Sequence, residues 1–268
     1  MTDRLWLIGG TQESRQLVAR LLTHCPADQI GLLVTVTTAA ARSLYPDLPP
    51  AAVWVGQLQP DQGHDFVRHH GIGAILDVSH PFATAISQLA IALAQHHQLP
   101  YLRYERPAMT VPDPGWRDRC DRPGYLCVPT LATVLAESYL VGERTLLTLG
   151  YRSLAAFAPW QTQGTLFARI LPSPTALAAA LAAGFTPDRI IALRPPISPE
   201  LERALWQQWQ LTQVITKASG RPGGEAQKQA IAATLGVRLL QIMRPLLAYP
   251  HHTESLDTAL AFALRYCG

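Results

Sequence analysis

"LWLIGGTQES", residues 5–14, joins a short apolar run to two glycines and a threonine. This order predicts a buried strand, a tight turn and a helix N-terminus, an arrangement that holds phosphate on backbone N–H groups. The usual fingerprint of such a turn is GxGxxG. Only Gly9 matches it here, because Thr11 and Ser14 stand at the second and third glycine positions. The stretch therefore predicts a dinucleotide-binding turn of a variant kind.

Outward from this turn, β-rich runs alternate with helical patterns almost to the end of the chain. The first half predicts strands at 4–9, 31–37, 52–56, 74–79 and 101–105, and helices near 11–23, 60–70 and 82–98. After a proline- and charge-rich stretch at 107–124, a second series predicts strands at 144–149, 165–171, 189–194, 212–217 and 237–243. The expected fold is α/β, with two Rossmann-like doubly wound parallel-sheet domains and a cleft between them. We expect domain boundaries at 1–110 and 111–268, the second domain including a C-terminal helix capped by Thr253.

The composition narrows the possible partners. Of 268 residues, 48% are hydrophobic and 15% charged, and the net charge of +3 suits an anionic small molecule but is too weak to predict nucleic-acid binding. No signal peptide and no membrane-spanning run is visible, so a soluble cytoplasmic protein with reduced thiols is expected. The four cysteines lack a CxxC pair and the paired histidines lack HExxH spacing, so we predict no metal.

Basic side chains follow the predicted strands more often than acidic ones do. These residues are Arg103, Arg106, Arg152, Arg169, Arg194, Lys217 and Arg244. In open α/β sheets ligands bind beyond the carboxyl ends of the strands, so a ligand with several carboxylates or phosphates is expected there. Some of these residues are instead expected to pair with acids or cap helices.

The end of the second strand bears on cofactor choice. NAD-binding folds carry an acid there, whereas here "VTVTTAAAR" offers Thr37, Thr38 and then Arg42, with no acid before Asp47. This pattern favours the 2′-phosphate of NADP, although Arg42 could equally be a solvated helix residue. No tyrosine has a lysine four positions on, which argues against the short-chain dehydrogenase class.

"DVSHPFA", residues 77–83, closes the fourth strand and places Ser79 and His80 at the mouth of the crevice. Pro81 is expected at the first position of the next helix. A Ser–His nucleophile is disfavoured, because adjacent side chains of a strand point to opposite faces and no GxSxG elbow is present. Positioning of a cofactor is the favoured role, with a catalytic His80 as the alternative.

A second glycine-rich turn lies within "VITKASGRPGGEAQKQAIAATLG", residues 214–236. Glycines and a lysine before a helix predict an anion-binding loop. The order GxxxxGK[ST] of nucleotide hydrolases is missing, so Lys217 and Lys228 are better interpreted as carboxylate ligands.

Six motifs follow one another along the chain: "IGGTQES", "DVSHPFA", "YLRYERP", "TLGYRSL", "ITKASG" and "MRP". With this ordered set, the chain resembles the precorrin-6A reductase family of cobalamin biosynthesis. The resemblance implies NADPH-dependent reduction of one macrocycle double bond in (cobalt-)precorrin-6A, giving (cobalt-)precorrin-6B. It also implies two Rossmann-like domains, with NADPH held mainly by the first (1–110) and the substrate between them, residues 111–268 forming the substrate side. Macrocycles of this pathway bear acetate and propionate arms, which would suit the basic strand ends.

By position, the resemblance and the patterns above give two sets of site residues. The cofactor set is Gly9, Gly10, Thr11, Thr38, Arg42, Ser79, His80, Pro81 and Phe82. The substrate set is Arg103, Arg106, Arg152, Arg169, Lys217, Ser219, Gly220, Lys228 and Arg244. One departure is Ala218, where the family often has asparagine, which removes a hydrogen-bonding side chain from this loop.

The proton donor has only weak candidates, namely His80, Tyr151 and Lys217, with water as another. Two alternative functions stay open at this point. One is a different NADPH-dependent reductase acting on another polyanionic substrate, and the other is a non-catalytic dinucleotide-sensing module.

Overall fold

The computed structural model describes residues 4–107 and 124–267. The chain divides into two compact units: residues 1–107 with 246–268 form the first, and residues 108–245 form the second. Apart from its end residues Pro107 and Gly124, the stretch predicted to be a linker lies outside the described residues.

The first unit opens with five strands joined by helices. They are β1 (Arg4–Ile8), α1 (Gln12–Leu22), β2 (Leu32–Val36), α2 (Ala39–Arg42), β3 (Val53–Val55), α3 (Gly63–His70), β4 (Ile72–Asp77), α4 (Thr84–His97) and β5 (Tyr101–Tyr104). All five predicted strands are confirmed, whereas the short α2 was not predicted. The prediction that Pro81 is the first residue of the next helix was wrong, because α4 begins at Thr84. A turn precedes the helix, in which the Ala83 N–H donates to the His80 carbonyl at 2.7 Å.

The second unit repeats the alternation. Its elements are β6 (Tyr125–Val128), α5 (Leu131–Ala136), β7 (Arg144–Leu147), β8 (Thr165–Ile170), α6 (Pro174–Ala182), β9 (Ile190–Ala192), α7 (Pro199–Gln208), β10 (Gln213–Lys217), α8 (Glu225–Leu235) and β11 (Arg238–Ile242). A 3-10 segment, Tyr151–Trp160, joins β7 to β8. The five predicted strands are confirmed and β6 was missed. Of the cysteines in the described residues, Cys25 and Cys267 are free thiols.

Both units contain a six-stranded sheet within the described residues. With β12 (His252–Thr253), the strand orders are β12-β5-β4-β1-β2-β3 and β6-β11-β10-β7-β8-β9. Every neighbouring pair is parallel. In each sheet the winding reverses beside the central strand, between β1 and β4 and between β7 and β10, as in doubly wound folds. The predicted pair of Rossmann-like sheets is confirmed.

The C-terminal segment belongs to the first unit, so its predicted placement in the second domain was wrong. The strand β12 extends the first sheet, where the backbone N–H of Arg103 donates to the His251 carbonyl at 2.9 Å. The helix α9 (Leu256–Tyr266) packs on α1 and β4 and fully buries Ala259 and Ala263. Its apolar stripe covers part of the first sheet, which explains the return of the chain. The cap of α9 is Ser255 rather than Thr253.

After Arg4, the central strand β1 is apolar without interruption, as expected of a strand in a sheet that helices cover on both faces. Leu5, Trp6 and Leu7 of β1 are all completely buried, although consecutive side chains of a strand point to opposite faces. In the described part of the chain, none of the helices has the length and apolarity needed to cross a membrane.

Candidate functional site

The turn after β1 needs glycine at two positions, for two different reasons. A Cβ atom on Gly9 would lie 2.3 Å from the hydroxyl of Tyr45, so any side chain there would clash. Gly10 has a φ of +91°, a conformation that residues with side chains rarely adopt. A Cβ atom on Gly10 would meet no described atom within 4 Å, so this side of the turn is open to a ligand.

The start of α1 is fixed by the two residues that replace glycines of the usual fingerprint. The Thr11 hydroxyl accepts from the Ser14 N–H at 3.1 Å, and the Ser14 hydroxyl accepts from the Thr11 N–H at 3.0 Å. Thr11 also contacts the Val78 carbonyl, 2.9 Å from its hydroxyl oxygen. Thr11 is therefore the N-cap of α1. The prediction that Thr11 is a phosphate ligand is revised, because its hydroxyl is buried and engaged within the protein.

Two backbone amides remain to receive an anion at this helix start. Within the described residues, neither the Gln12 N–H nor the Glu13 N–H has an acceptor. Both belong to the first turn of an eleven-residue helix, whose dipole favours negative charge there. Together with the open side of Gly10, they form a phosphate-sized donor set.

Tyr45 is a part of this turn that sequence reasoning missed. Its hydroxyl accepts from the Gly10 N–H at 2.8 Å and lies 2.7 Å from the Ser14 hydroxyl. The side chain is 3% exposed, and burial raises the pKa of its phenol. Thirty-five residues separate Tyr45 from Gly10, so no local motif could have connected them.

A carboxylate also lies at the start of α1, and an arginine neutralises it. The Arg106 Nε lies 2.6 Å from Glu13 Oε1, and the Arg106 Nη2 donates to Glu13 Oε2 at 2.8 Å. Both side chains are buried. Without this partner, Glu13 would repel a phosphate bound at the same helix end. The prediction that Arg106 binds substrate is therefore revised, because its charge is used inside the first unit.

The end of β4 holds a buried ionic network. Arg103 is 1% exposed, and its Nη1 donates to Asp77 Oδ1 at 2.8 Å and to the Ser79 hydroxyl at 2.9 Å. Its Nε donates to Glu105 at 2.9 Å. Burial alone would disfavour the charged guanidinium, but Asp77 and Glu105 outweigh it and raise the pKa of Arg103. Arg103 thus stabilises this strand end, and its predicted contact with substrate is corrected.

The "SHPF" motif follows this network at the carboxyl edge of the sheet. Ser79 is buried within it, which fixes the backbone on which the next three residues stand. The His80 Nδ1 accepts from the Phe82 N–H at 3.2 Å, and the two rings lie 5.9 Å apart. Pro81 is buried, while His80 and Phe82 are half-buried. Because β4 neighbours β1, this motif lies beside the glycine turn.

On the other side of β1, the end of β2 carries Thr38 and Arg42. The Thr38 hydroxyl caps α2 by accepting from the Ala41 N–H at 3.3 Å. The exposed Arg42 donates from Nη2 to the carbonyls of Pro50 (2.6 Å) and Val53 (3.1 Å). These bonds hold its guanidinium in place at the same edge as Gly10. The structure thus brings the cofactor set to the ends of three adjacent strands, β4, β1 and β2.

The corresponding edge of the second unit carries basic side chains. Lys217, the last residue of β10, donates to the Leu149 carbonyl at 2.8 Å. Burial and the nearby Arg152 lower the pKa of Lys217. Arg152 is exposed, 5.7 Å from the ring centroid of Tyr151. Arg244 follows β11 and donates to the Ala218 carbonyl at 2.8 Å. Because the strands are parallel, all of these groups lie at one edge of the sheet.

The glycine-rich loop after β10 is closed by its own polar groups. The Gly220 N–H donates to Glu225 at 2.9 Å, and the buried Lys228 donates to the Gly223 carbonyl. Burial, followed by the charge of Arg169, lowers the pKa of Lys228 to about 8. The predicted role of Lys228 as a carboxylate ligand is therefore revised to loop support.

Arg169 and Ser219 are also engaged within the second unit. Arg169 pairs with Glu202 at 2.5 Å, so its predicted contact with substrate is revised as well. The side chain of Ser219 lies over Gly223, where a Cβ atom would be only 2.3 Å from that of Ser219. The loop therefore needs glycine at 223 in order to close.

A pocket of about 460 Å³ lies elsewhere on the second unit. It is lined by residues that include Tyr125, Gln229 and Val237, next to the beginnings of β6 and β11. Doubly wound sheets bind ligands at the opposite, carboxyl edge, so this pocket is not part of the candidate site.

The strand order and the glycine turn define a protein of the nucleotide-binding α/β class. A family model described as "Precorrin-6x reductase CbiJ/CobK" matches residues 4–264. The chain belongs to this precorrin-6A reductase family, as the sequence motifs predicted.

Individual relatives agree with the family match. The chain is 45% identical to a cobalt-precorrin-6A reductase of Synechocystis sp., over 99% of each chain. It is 31% identical to a precorrin-6A reductase of Rhodococcus erythropolis, covering 99% of this chain and 97% of the relative. A solved structure described as "CobK precorrin-6A reductase" aligns with a TM-score of 0.75 at 23% identity, over 99% of this chain and 98% of that one, and supports the fold.

Proposed function

We propose that this protein is an NADPH-dependent reductase that converts (cobalt-)precorrin-6A to (cobalt-)precorrin-6B in cobalamin biosynthesis. The family match over residues 4–264 carries this proposal. The phosphate-sized donor set at the strand-order reversal of the first unit supports it. The cytoplasmic location stays a prediction of the sequence.

In this proposal the first unit holds the cofactor, which supplies the hydride. The pyrophosphate takes the Gln12 and Glu13 N–H groups and the open side of Gly10. The 2′-phosphate meets Thr38 and Arg42, and the nicotinamide end reaches the motif that begins at Ser79. This order along the edge follows the neighbouring ends of β2, β1 and β4. The ionic network beneath Ser79 keeps the motif rigid, which favours orientation of the reacting groups.

The second unit holds the substrate carboxylates in this proposal. Lys217, Arg152 and Arg244 supply positive charge at neighbouring strand ends, while Ser219 and Gly220 supply polar groups in the loop. Electrostatic attraction to several carboxylates orients a large anionic macrocycle without covalent chemistry. For the proton that completes the reduction, His80, Tyr151, Lys217 and water stay as candidates.

The direct test is turnover of precorrin-6A, metal-free and cobalt-loaded in parallel, with NADPH or NADH. We expect stoichiometric loss of NADPH absorbance and formation of the reduced macrocycle. Binding of NADPH without turnover of either macrocycle would favour a sensing module, and turnover of a different polyanion alone would favour another reductase. Either result would overturn the proposal.

The cofactor preference has its own test in Arg42→Ala. Loss of one charge-assisted contact should weaken NADPH binding by about 1.5–3 kcal/mol, roughly ten- to a hundredfold, with little effect on NADH. Arg20→Ala is a suitable control, because this exposed arginine of the same unit pairs with Asp257 on the surface. Equal affinity of the unmodified protein for both cofactors would contradict the role of Arg42.

A further inference from the structure

Three histidines from two helices of the first unit come together outside the candidate site. His64 lies in the first turn of α3, and His96 and His97 are the last two residues of α4. One ring nitrogen of each lies within 4.8 Å of the others. The closest pair, His64 Nδ1 and His97 Nε2, is 3.0 Å apart. Ring centroids lie 4.5 to 5.2 Å apart, so the three imidazoles form one cluster.

The cluster is accessible, and its chemistry suits a metal better than three charged side chains. His64 and His96 are exposed, and His97 is half-buried. Imidazoles this close repel each other when protonated. A neutral imidazole nitrogen is the form that binds metals, so a cluster that disfavours three positive charges suits a metal ion. The charge of Arg68 is partly balanced by Asp65, 2.5 Å away.

We propose that His64, His96 and His97 bind one divalent first-row transition-metal ion of the Zn²⁺ class. Zn²⁺ takes histidine nitrogens at about 2.0–2.1 Å, which places tetrahedral ligand atoms about 3.3 Å apart. The 3.0 Å pair already approaches that spacing, and small ring rotations bring in the third nitrogen. Water completes the coordination. Imidazole ligands select Zn²⁺, Ni²⁺ and Cu²⁺ over Mg²⁺ and Ca²⁺.

The position of the cluster adds an electrostatic contribution. His96 and His97 end a fourteen-residue helix, where the helix dipole favours a cation. A bound ion would also replace the hydrogen bond between His64 and His97, and it would join α3 to α4. The sequence led us to expect no metal, because ligands on two helices, 32 residues apart, produce no recognisable spacing.

The test uses tag-free, chelator-treated full-length protein titrated with Zn²⁺ by calorimetry, with Mg²⁺ as a hard-metal control. We expect one Zn²⁺ per chain, no Mg²⁺ binding at this site, and a rise in melting temperature with Zn²⁺ concentration. His97→Gln should weaken Zn²⁺ binding at least tenfold, and His64→Gln similarly. His69→Gln, an exposed histidine of the same helix α3, is the matched control and should bind like the unmodified protein.

Protonation gives a second readout. Zn²⁺ affinity should fall as the pH drops from 8 to 6, because protons compete with the metal for the imidazole nitrogens. X-ray absorption of the Zn²⁺-loaded protein should show three imidazole ligands. Binding that survives in a folded His64→Gln, His96→Gln, His97→Gln triple variant, or no Zn²⁺ binding by the unmodified protein, would overturn the proposal. Neither result bears on reductase activity, since none of these residues belongs to the candidate site.

Discussion

Five strands of each sheet follow the same order, β5-β4-β1-β2-β3 and β11-β10-β7-β8-β9, yet the points at which their winding reverses carry different groups. In the first unit, β4 ends at Asp77, whose charge is cancelled by the buried Arg103, and the open groups are backbone amides. In the second unit, β10 ends at Lys217, and Arg152 follows the neighbouring β7. In our proposal the first edge offers amides to a phosphate, and the second offers ammonium and guanidinium groups to carboxylates.

The segment that follows the central strand also differs between the two units. After β1, a tight glycine turn leads directly into the α-helix α1. After β7, Gly150 leads into the 3-10 segment Tyr151–Trp160, which has no side-chain cap. An α-helix start presents amides and a dipole, whereas a 3-10 segment has poorer hydrogen-bond geometry. Under the proposed function, the same topology would support two binding chemistries, selected by the residues at the strand ends.

The largest expected effect tests whether Arg103 stabilises the folded protein or binds the substrate. Arg103→Met should lower the free energy of unfolding by about 3–5 kcal/mol, because it leaves Asp77 charged and buried without its partner. Urea unfolding measures this change. The control Arg20→Met breaks an exposed pair and should cost only about 0–1 kcal/mol. A stable Arg103→Met protein with weakened substrate binding would reverse our interpretation.

The next effect concerns the glycine turn. In Gly10→Val the side chain enters the open side of the turn and the residue must hold a φ of +91°. We expect NADPH binding to weaken by about ten- to a hundredfold through lost amide contacts, with about 1–3 kcal/mol of backbone strain.

Gly71→Val is a matched control for this turn, because Gly71 also has positive φ and open space around it, at the end of α3. Calorimetric titration with NADPH compares the two variants. If both lose cofactor affinity equally, general destabilisation rather than the turn is responsible.

A smaller effect is expected from Lys217 at the second edge. Lys217→Met should weaken substrate binding by about 1–2 kcal/mol, several- to thirtyfold in KM, and leave the NADPH affinity unchanged. Arg203→Met, an exposed charge on α7 of the same unit, controls for net charge. Loss of NADPH affinity with unchanged substrate affinity would contradict the division of roles between the two units.

Lys217 also predicts a pH dependence. Burial lowers the pKa of its ammonium group, so the positive charge is lost as the pH rises through that lowered pKa. Substrate KM should therefore increase on the alkaline side. Lys217→Arg should flatten this increase, because arginine stays charged. A KM profile that is identical in both proteins would remove Lys217 from the substrate site.

The smallest effect distinguishes two roles of Tyr45. Tyr45→Phe removes the acceptor of the Gly10 N–H, and should cost about 0.5–1.5 kcal/mol of stability and less than tenfold in NADPH affinity. Tyr266→Phe, a half-buried tyrosine of the same unit, is the control. Tighter NADPH binding by Tyr45→Phe would show that the hydroxyl competes with the cofactor for this amide.

The ten strands of the two alternating series were readable because continuous apolar runs between turn signals need no tertiary information. The sequence analysis missed the strands β6 and β12, for two different reasons. The first follows the proline- and charge-rich stretch, and the second has only two residues, paired through the neighbouring β5. The helix α9 was predicted from its amphipathic pattern. Such a pattern predicts that one face of the helix is buried, but it does not identify the sheet that covers this face.

For the site, the sequence by itself determined the glycine turn, the family motifs and the excess of basic residues after strands. Only the tertiary structure decided which of those charges are used inside the protein. Arg103, Arg106 and Arg169 meet acids that lie 2 to 93 residues away in sequence, whereas Arg152 stays exposed. The physical reason is that a charge is available to a ligand only if the fold leaves it near water and without an internal counter-charge. Both conditions depend on long-range contacts, as do the links from Tyr45 to Gly10 and from His64 to His97.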